Sequence, residues 1–328
     1  MLQGIDDNLK SALQRYALKL VLIGLAIALS PCRAVFAQDA GQKMFTSPQD
    51  AAAALDAAMK NDSDPQVLAI LGSSAQSLIT SGDPITDKAN RANFIKRYDQ
   101  LHQFTAAGDG RVFLYIGEDN WPTPIPLQKS GSQWYFDTAY GKEEILYRNI
   151  GWNELKVIRV CKAIGEAEHD YYAKDHDGSS VHQYTQKFSS APGTQNGLYW
   201  QVSAGQQPES PLGPLVAEAA AEGYAHQTAR TQRPFHGYVY RLLTRQGAGA
   251  AGGAKDYIVN GQMTGGFALV AYPVSYRVTG VMTFIVNQDG QIYQKDLGAD
   301  TDATASAMTQ YNPDSTWTPV AESSADSN

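Results

Sequence analysis

Cysteine is scarce in this chain, with 2 in 328 residues, Cys32 and Cys161. That excludes a disulfide-stapled fold, and cleavage within the amino-terminal segment would leave Cys161 alone. Cys161 falls among apolar residues at helical spacing, which favours a buried, inert thiol over a nucleophile. Charge is also thin: 18% of residues, with a formal net charge of −7 and no cluster of Lys and Arg. Nucleic acid is therefore excluded as a partner, because phosphate neutralisation needs clustered cations. No Gly-x-Ser-x-Gly elbow exists, since Ser210 stands in Ser-Pro-Leu-Gly. Long hydrophobic runs are missing too. Leu20–Leu29 is well short of the ~20 residues that a membrane-spanning helix needs.

What is there points to export. Lys10, Arg15 and Lys19 precede the short apolar run, and Ala34-Val35-Phe36-Ala37 places small residues where a signal peptidase reads. Residues 1–37 are therefore expected to be a secretory signal peptide, and the mature chain to be periplasmic or secreted. An uncleaved amino-terminal anchor is the alternative, and the one membrane association this sequence implies. Lipid attachment at Cys32 is disfavoured because Pro31 precedes it. Cleavage after Ala37 removes Lys10, Arg15, Lys19 and Arg33 against Asp6 and Asp7, leaving the mature chain more acidic. Over all 328 residues, 43% apolar content is enough for a core, and 29 Gly with 18 Tyr imply many turns and half-exposed aromatic strands.

The length suits two domains. Ser47-Pro48-Gln49-Asp50 is a helix start with a capping serine, and an alanine-rich run to Met59 comes next. A second helix opens at Asp64-Pro65 and stops at Gly72. Beyond Asp83-Pro84, helical spacing links Phe94, Ile95, Tyr98, Leu101 and Phe104. After the Gly108-Asp-Gly110 turn the period becomes two, and Arg111–Ile116, Ile125–Leu127 and Gln133–Asp137 read as antiparallel strands. Residues 45–149 thus form an α+β domain.

From about Lys142 to Lys174 the helical period returns, with Val157, Val160, Cys161, Ile164, Ala167 and Tyr171 on one face. Gly151-Trp152-Asn153 is a candidate break. Residues 178–215 read as irregular, and Leu215–Gly223 as a short helix. From Pro234 to Gly298 come strands at Phe235–Thr244, Lys255–Val259, Gly265–Tyr272 and Gly280–Asn287, separated by Gly, Asn or Pro. Residues 150–318 are expected to form a second α+β domain, a long helix on an antiparallel sheet, with 319–328 a disordered tail.

Nearly the whole mature chain resembles a bacterial domain-of-unknown-function family, number 2950. The stretches that carry this include Trp121-Pro-Thr-Pro-Ile-Pro-Leu, Trp134-Tyr-Phe-Asp-Thr-Ala-Tyr-Gly, Ile150-Gly-Trp-Asn-Glu-Leu, Gly197-Leu-Tyr-Trp, Phe235-His-Gly-Tyr and Gly265-Gly-Phe-Ala-Leu-Val-Ala-Tyr-Pro. The resemblance implies no activity. The second half, with Asn153–Tyr171 and the later strands, is also similar to pilin-like domains, although its helix lies mid-chain with no prepilin cleavage motif. The first domain loosely resembles nuclear-transport-factor-2-like or cystatin-like folds.

Candidate sites divide by chemistry. Gly247-Ala-Gly249-Ala-Ala-Gly252 spells a dinucleotide fingerprint, but strand-like residues come after it instead of a helix, so it reads as a hairpin loop. His169, Asp170, Asp175, His176 and Asp177-Gly178 crowd the helix end without the closing glutamate of a calcium loop. Glu143, Glu144, Glu166 and Glu168 are acids by type alone. His236, between two aromatics, is the histidine of most interest. Trp121 and Trp200 lie in aromatic loops suited to a sugar, a peptide or a domain interface. No catalytic, cofactor or metal set is assigned. The reading is an exported envelope protein that acts as a binding or scaffolding module, with Trp121, Trp200 and His236 as contacts and an envelope protein, peptide or glycan as partner. An envelope hydrolase with an acid/His site assembled by folding, and an accessory of a pilus or secretion system, are the alternatives.

Overall fold

The computed structural model describes residues 38–79, 84–176, 178–201, 209–221 and 234–321. The expected signal peptide lies outside them. The chain is an α+β protein that divides into two compact units, one ending at Tyr147 and the other running Arg148–Glu322.

The first unit opens with α1 (Pro48–Lys60), whose start is dictated by its sequence: the Ser47 hydroxyl accepts the Asp50 N–H at 3.0 Å, and Pro48 occupies the first turn. Helix α2 (Asp64–Leu71) stops at Gly72, where φ is +93°. A 3-10 turn (Ser73–Ala75), α3 (Gln76–Ile79) and α4 (Pro84–Gln100) come next. The strands are β1 (His102–Ala106), β2 (Arg111–Ile116), β3 (Trp121–Pro122), β4 (Leu127–Ser130) and β5 (Gln133–Phe136), in the order β1-β2-β4-β5 with β3 on β2. Ala51, Leu55 and Ala58 of α1 meet Val67, Ile70 and Leu71 of α2 and the sheet residues Leu127 and Phe136 in one core.

Two differences from the sequence reading have local causes. Phe104 continues the helical spacing numerically, yet it pairs with Leu114 across β1 and β2. Five residue pairs of antiparallel ladder outweigh one more helical turn. The strand expected at Ile125–Leu127 lies at Leu127–Ser130 instead, because Pro124 and Pro126 bring no N–H to a ladder.

Helix α5 (Thr138–Tyr172) is continuous for 35 residues, and the division between the units falls within it. The break expected at Gly151-Trp152-Asn153 is absent: Asn153 does not cap, and its side chain donates to the Thr279 carbonyl at 2.9 Å. A mid-helix glycine costs only about 1 kcal/mol, less than the burial on either side returns. The next helix among the described residues is α6 (Gly213–Ala221).

The main sheet joins β6 (Tyr238–Leu243), β11 (Ala268–Pro273), β12 (Met282–Asn287), β13 (Tyr293–Asp296) and β14 (Thr318–Pro319), all antiparallel, in the order β14-β13-β12-β11-β6. Between β6 and β11 stand four two-residue strands: β7 (Arg245–Gln246), β8 (Lys255–Asp256), β9 (Ile258–Val259) and β10 (Gln262–Met263). Helix α7 (Thr301–Ser306) precedes β14. The sheet is covered on both faces. Val157, Val160, Cys161, Ile164, Ala167 and Tyr171 of α5 pack with Tyr238, Leu269, Ala271, Phe284 and Val286. The alternate residues Leu243, Ala268, Val270, Tyr272 and Ile285 pack with Tyr257, Met263, Phe267 and Tyr311 on the other side. The period of two in β11 therefore sorts side chains between two cores, which is why all six of its residues are buried.

Lys255–Val259 is not one strand of this sheet. It splits at the fully buried Tyr257 into β8, which pairs with β7, and β9, which pairs with β10. The glycine-rich segment 247–253 is the loop of the β7–β8 hairpin, tied by the Gln246 amide to the carbonyls of Ala251 and Gly253. Pro319 and Val320, expected to belong to the tail, are paired instead. Thr318 and Pro319 pair with β13, and the Val320 N–H reaches the Ile292 carbonyl at 2.8 Å.

A Cβ added to Gly280 would lie 2.0 Å from the Tyr238 hydroxyl, whereas one added to Gly151 meets nothing within 4 Å. In urea titrations, Gly280→Ala is expected to destabilise the chain by about 1–3 kcal/mol. Gly151→Ala, inside a helix, should stabilise it by about 0.5–1 kcal/mol.

Candidate functional site

His236 occupies the first central position of a two-residue turn at the start of β6. Phe235 and Tyr238 exchange backbone hydrogen bonds at 2.9 and 3.1 Å, and His236 and Gly237 have φ of +50° and +74°. Positive φ at both central residues is what a type I′ hairpin turn requires, and Gly supplies the second at no steric cost. Gly237 has a second reason to lack a side chain. A Cβ there would lie 2.8 Å from Cβ of Thr279 and 3.2 Å from Nδ2 of Asn153.

The loop before β12, which approaches this turn closely at Gly237, is held against α5 by polar contacts. Asn153 binds the Thr279 carbonyl, and Oε1 of Glu154 accepts the N–H groups of Val281 and Met282 at 2.8 and 2.9 Å. Burial raises the Glu154 carboxyl above its ordinary range, opposed by those two N–H groups. Tyr238 lies beside it and donates to the Met282 carbonyl at 3.0 Å, and burial, then the Glu154 charge, pushes its phenol up.

Above the turn is a cleft of about 180 Å³ lined by Lys156, Arg159, Val160, Ala163, Leu215, Glu218 and His236. The α5 face that advances 156, 159/160, 163 lines it, and α6 supplies Leu215 and Glu218. His236 is 6% exposed and its ring lies 4.0 Å from that of Phe235. The cleft thus brings together an imidazole in a fixed turn, two cations from α5 and a carboxylate from α6. Such a set can hold a polar group through charge and hydrogen bonds.

The remaining candidates scatter. Trp200, read as a loop aromatic open to a ligand, is corrected: it is buried in the core of its own unit, its ring 5.5 Å from that of His176. Leu198 and Trp200 fill space beneath the end of α5, so the loop's apolar content serves packing. Trp121 is half-buried in β3 of the first unit, with the Arg97 guanidinium 5.7 Å over its ring. The acid beside His236 in the cleft is Glu218. Glu143 and Glu144 both stand on the second turn of α5, and Glu166 is exposed. Ser210 is buried just ahead of α6. Cys161 is fully buried, which pushes its thiol up. His169 Nδ1 lies 2.8 Å from the Gly165 carbonyl, and Asp170 is exposed beside it. Asp175 accepts the N–H groups of Gly178 and Ser180 at 2.9 and 2.8 Å, closing a turn, while Asp177 lies outside the described residues. Among the described residues no group of three or more His, Cys, Asp or Glu is placed to hold a metal ion. No helix among them is long and apolar enough to cross a membrane.

Glu154 and Glu168 were missed as members of the buried face, although their spacing marks them. The positions 154, 157, 161, 164, 168 and 171 advance by three and four along α5, so both acids stand in line with its apolar stripe.

The fold and cleft define an α+β protein in which a long helix covers one face of an antiparallel sheet. The chain belongs to the family DUF2950, proteins of unknown function, which matches residues 42–320. No curated protein and no solved structure matches it.

Removing the Glu154 carboxylate leaves two backbone N–H groups without their acceptor. Glu154→Ala is expected to lower stability by about 2–4 kcal/mol, while Glu166→Ala on the exposed face should change it by less than about 0.5 kcal/mol. Equilibrium denaturation of both variants measures the contrast.

Proposed function

We propose that the chain is an exported envelope protein and a non-enzymatic binding module, whose contact surface is the cleft beside His236. The observation that carries this reading is the meeting, in one cleft, of a turn-locked imidazole with Lys156, Arg159 and Glu218. A residue in a left-handed backbone conformation costs on the order of 1–3 kcal/mol, and here Asn153 and Glu154 fix the loop before β12, which closely approaches the turn at Gly237. Such a wall positions a ligand without moving. Charges of both signs suit a polar, partly anionic partner, an envelope peptide with its terminal carboxylate or a glycan with acidic sugars. Export is supported by the basic flank, short apolar run and small residues of the amino-terminal segment.

The test is a binding screen of the purified mature chain against envelope-derived peptides and glycans, repeated with two variants. His236→Asn keeps a residue tolerant of positive φ but removes the imidazole, and Lys156→Glu/Arg159→Glu reverses the cationic wall. Each is expected to weaken binding by tenfold or more, and a ligand bound equally well by all three proteins would overturn the reading. Amino-terminal sequencing of the chain recovered outside the cytoplasm should begin at Gln38. Recovery of the chain from the cytoplasm with residues 1–37 intact would refute export.

A further inference from the structure

Glu168 lies one turn before the end of α5 with its side chain fully buried. Its Oε2 accepts the Thr185 N–H at 3.0 Å, while Oε1 is enclosed with no hydrogen-bond partner among the described residues. Tyr184 and Thr185 have other ties as well: the Tyr184 ring lies 5.0 Å from that of Phe267, and the Thr185 hydroxyl also reaches the Lys187 carbonyl at 3.3 Å. The Tyr184 N–H reaches the Met263 carbonyl at 2.9 Å, its ring stacks 4.6 Å from Tyr172, and the Thr185 hydroxyl reaches the Asn196 carbonyl at 3.2 Å.

We propose that the Tyr184–Thr185 crossing is a proton-held clasp, closed on α5 while Glu168 carries its proton and loosened when the carboxyl gives that proton to solvent. A neutral carboxylic acid is tolerated in this apolar site, but a carboxylate with one N–H partner is not. No cation acts on the group. The titratable groups nearby are Tyr184 on the crossing segment and Tyr172 and His169 on α5. Asp289, in the turn after β12, acts on Tyr184. None of these supplies a cation that acts on Glu168, whose carboxyl is affected only by burial and the Thr185 N–H.

Geometry and proton affinity agree. Burial, opposed by the Thr185 N–H, pushes the carboxyl from 4.5 up to about 8 in the closed state. An opened carboxyl returns to about 4.5, so opening between these values releases one proton. The closed state is therefore favoured most below about pH 4.5, loses that advantage steadily as pH rises, and has lost it above about pH 8.

Hydrogen exchange on the full mature chain at pH 5, 6 and 7, corrected for intrinsic exchange, tests this. Protection of the Tyr184 and Thr185 amides is expected to fall about tenfold per pH unit in the wild type and to be independent of pH in Glu168→Gln. Wild-type protection that does not fall, or falls equally in the variant, overturns the proposal. A measurement on the wild type covers the case of a variant that does not fold. The Glu168 carboxyl ¹³C shift should titrate near pH 8 together with the Thr185 amide shift. A carboxyl titrating near 4.5 while that amide stays still would refute the clasp. The inference does not rest on the binding reading.

Discussion

Helix α5 can exist as one continuous rod within the second unit because it covers the face of a sheet whose opposite face is also covered. Six of its side chains, from Val157 to Tyr171, enter the same core as Tyr238, Leu269, Ala271, Phe284 and Val286. Complete burial of a large apolar side chain is worth about 1.5–3 kcal/mol, so the stripe outweighs the glycine in its middle several times over. The same excess explains why two acids can sit in line with that stripe. Glu154 is met by two backbone N–H groups, and Glu168 by the Thr185 N–H.

The cleft depends on this docking. Asn153 and Glu154 reach out from the helix to the loop before β12, and that loop faces the turn carrying His236 and Gly237. Close approach is what demands glycine at 237 and 280, because a methyl group at either would overlap Thr279 or the Tyr238 hydroxyl. The imidazole is thus placed by backbone geometry, while the Lys156 and Arg159 side chains come from the next face of the same helix.

Much of the architecture was legible. The cap at Ser47, the stop at Gly72, the alternation in Arg111–Ile116 and the stripe of α5 are local patterns with local causes. So is the reading of the segment 247–253 as a hairpin loop, since a strand and not a helix comes directly after it. The failures come where a pattern is compatible with two outcomes. Phe104 fits a helical spacing and a strand equally, and its pairing with Leu114 decides. Lys255–Val259 looks like a strand, but Tyr257 is more valuable buried in the second core than in a ladder. Trp200 reads as a loop aromatic, and nothing in its neighbourhood says that the loop folds inward.

What this protein's sequence determined by itself is therefore the kind of each element and the face each helix and strand buries, because those arise from periods of 3.6 and two and from residues that cap or turn the chain. The tertiary structure alone decided what the buried acids bond, which aromatics stay accessible and which residues share the cleft with His236. Those outcomes rest on contacts such as Asn153 with Thr279 and Glu154 with Val281, which join residues 126 and 127 apart in the chain. No local pattern encodes so distant a pairing, and a carboxylate has the same letters whether it faces water or lies in a core.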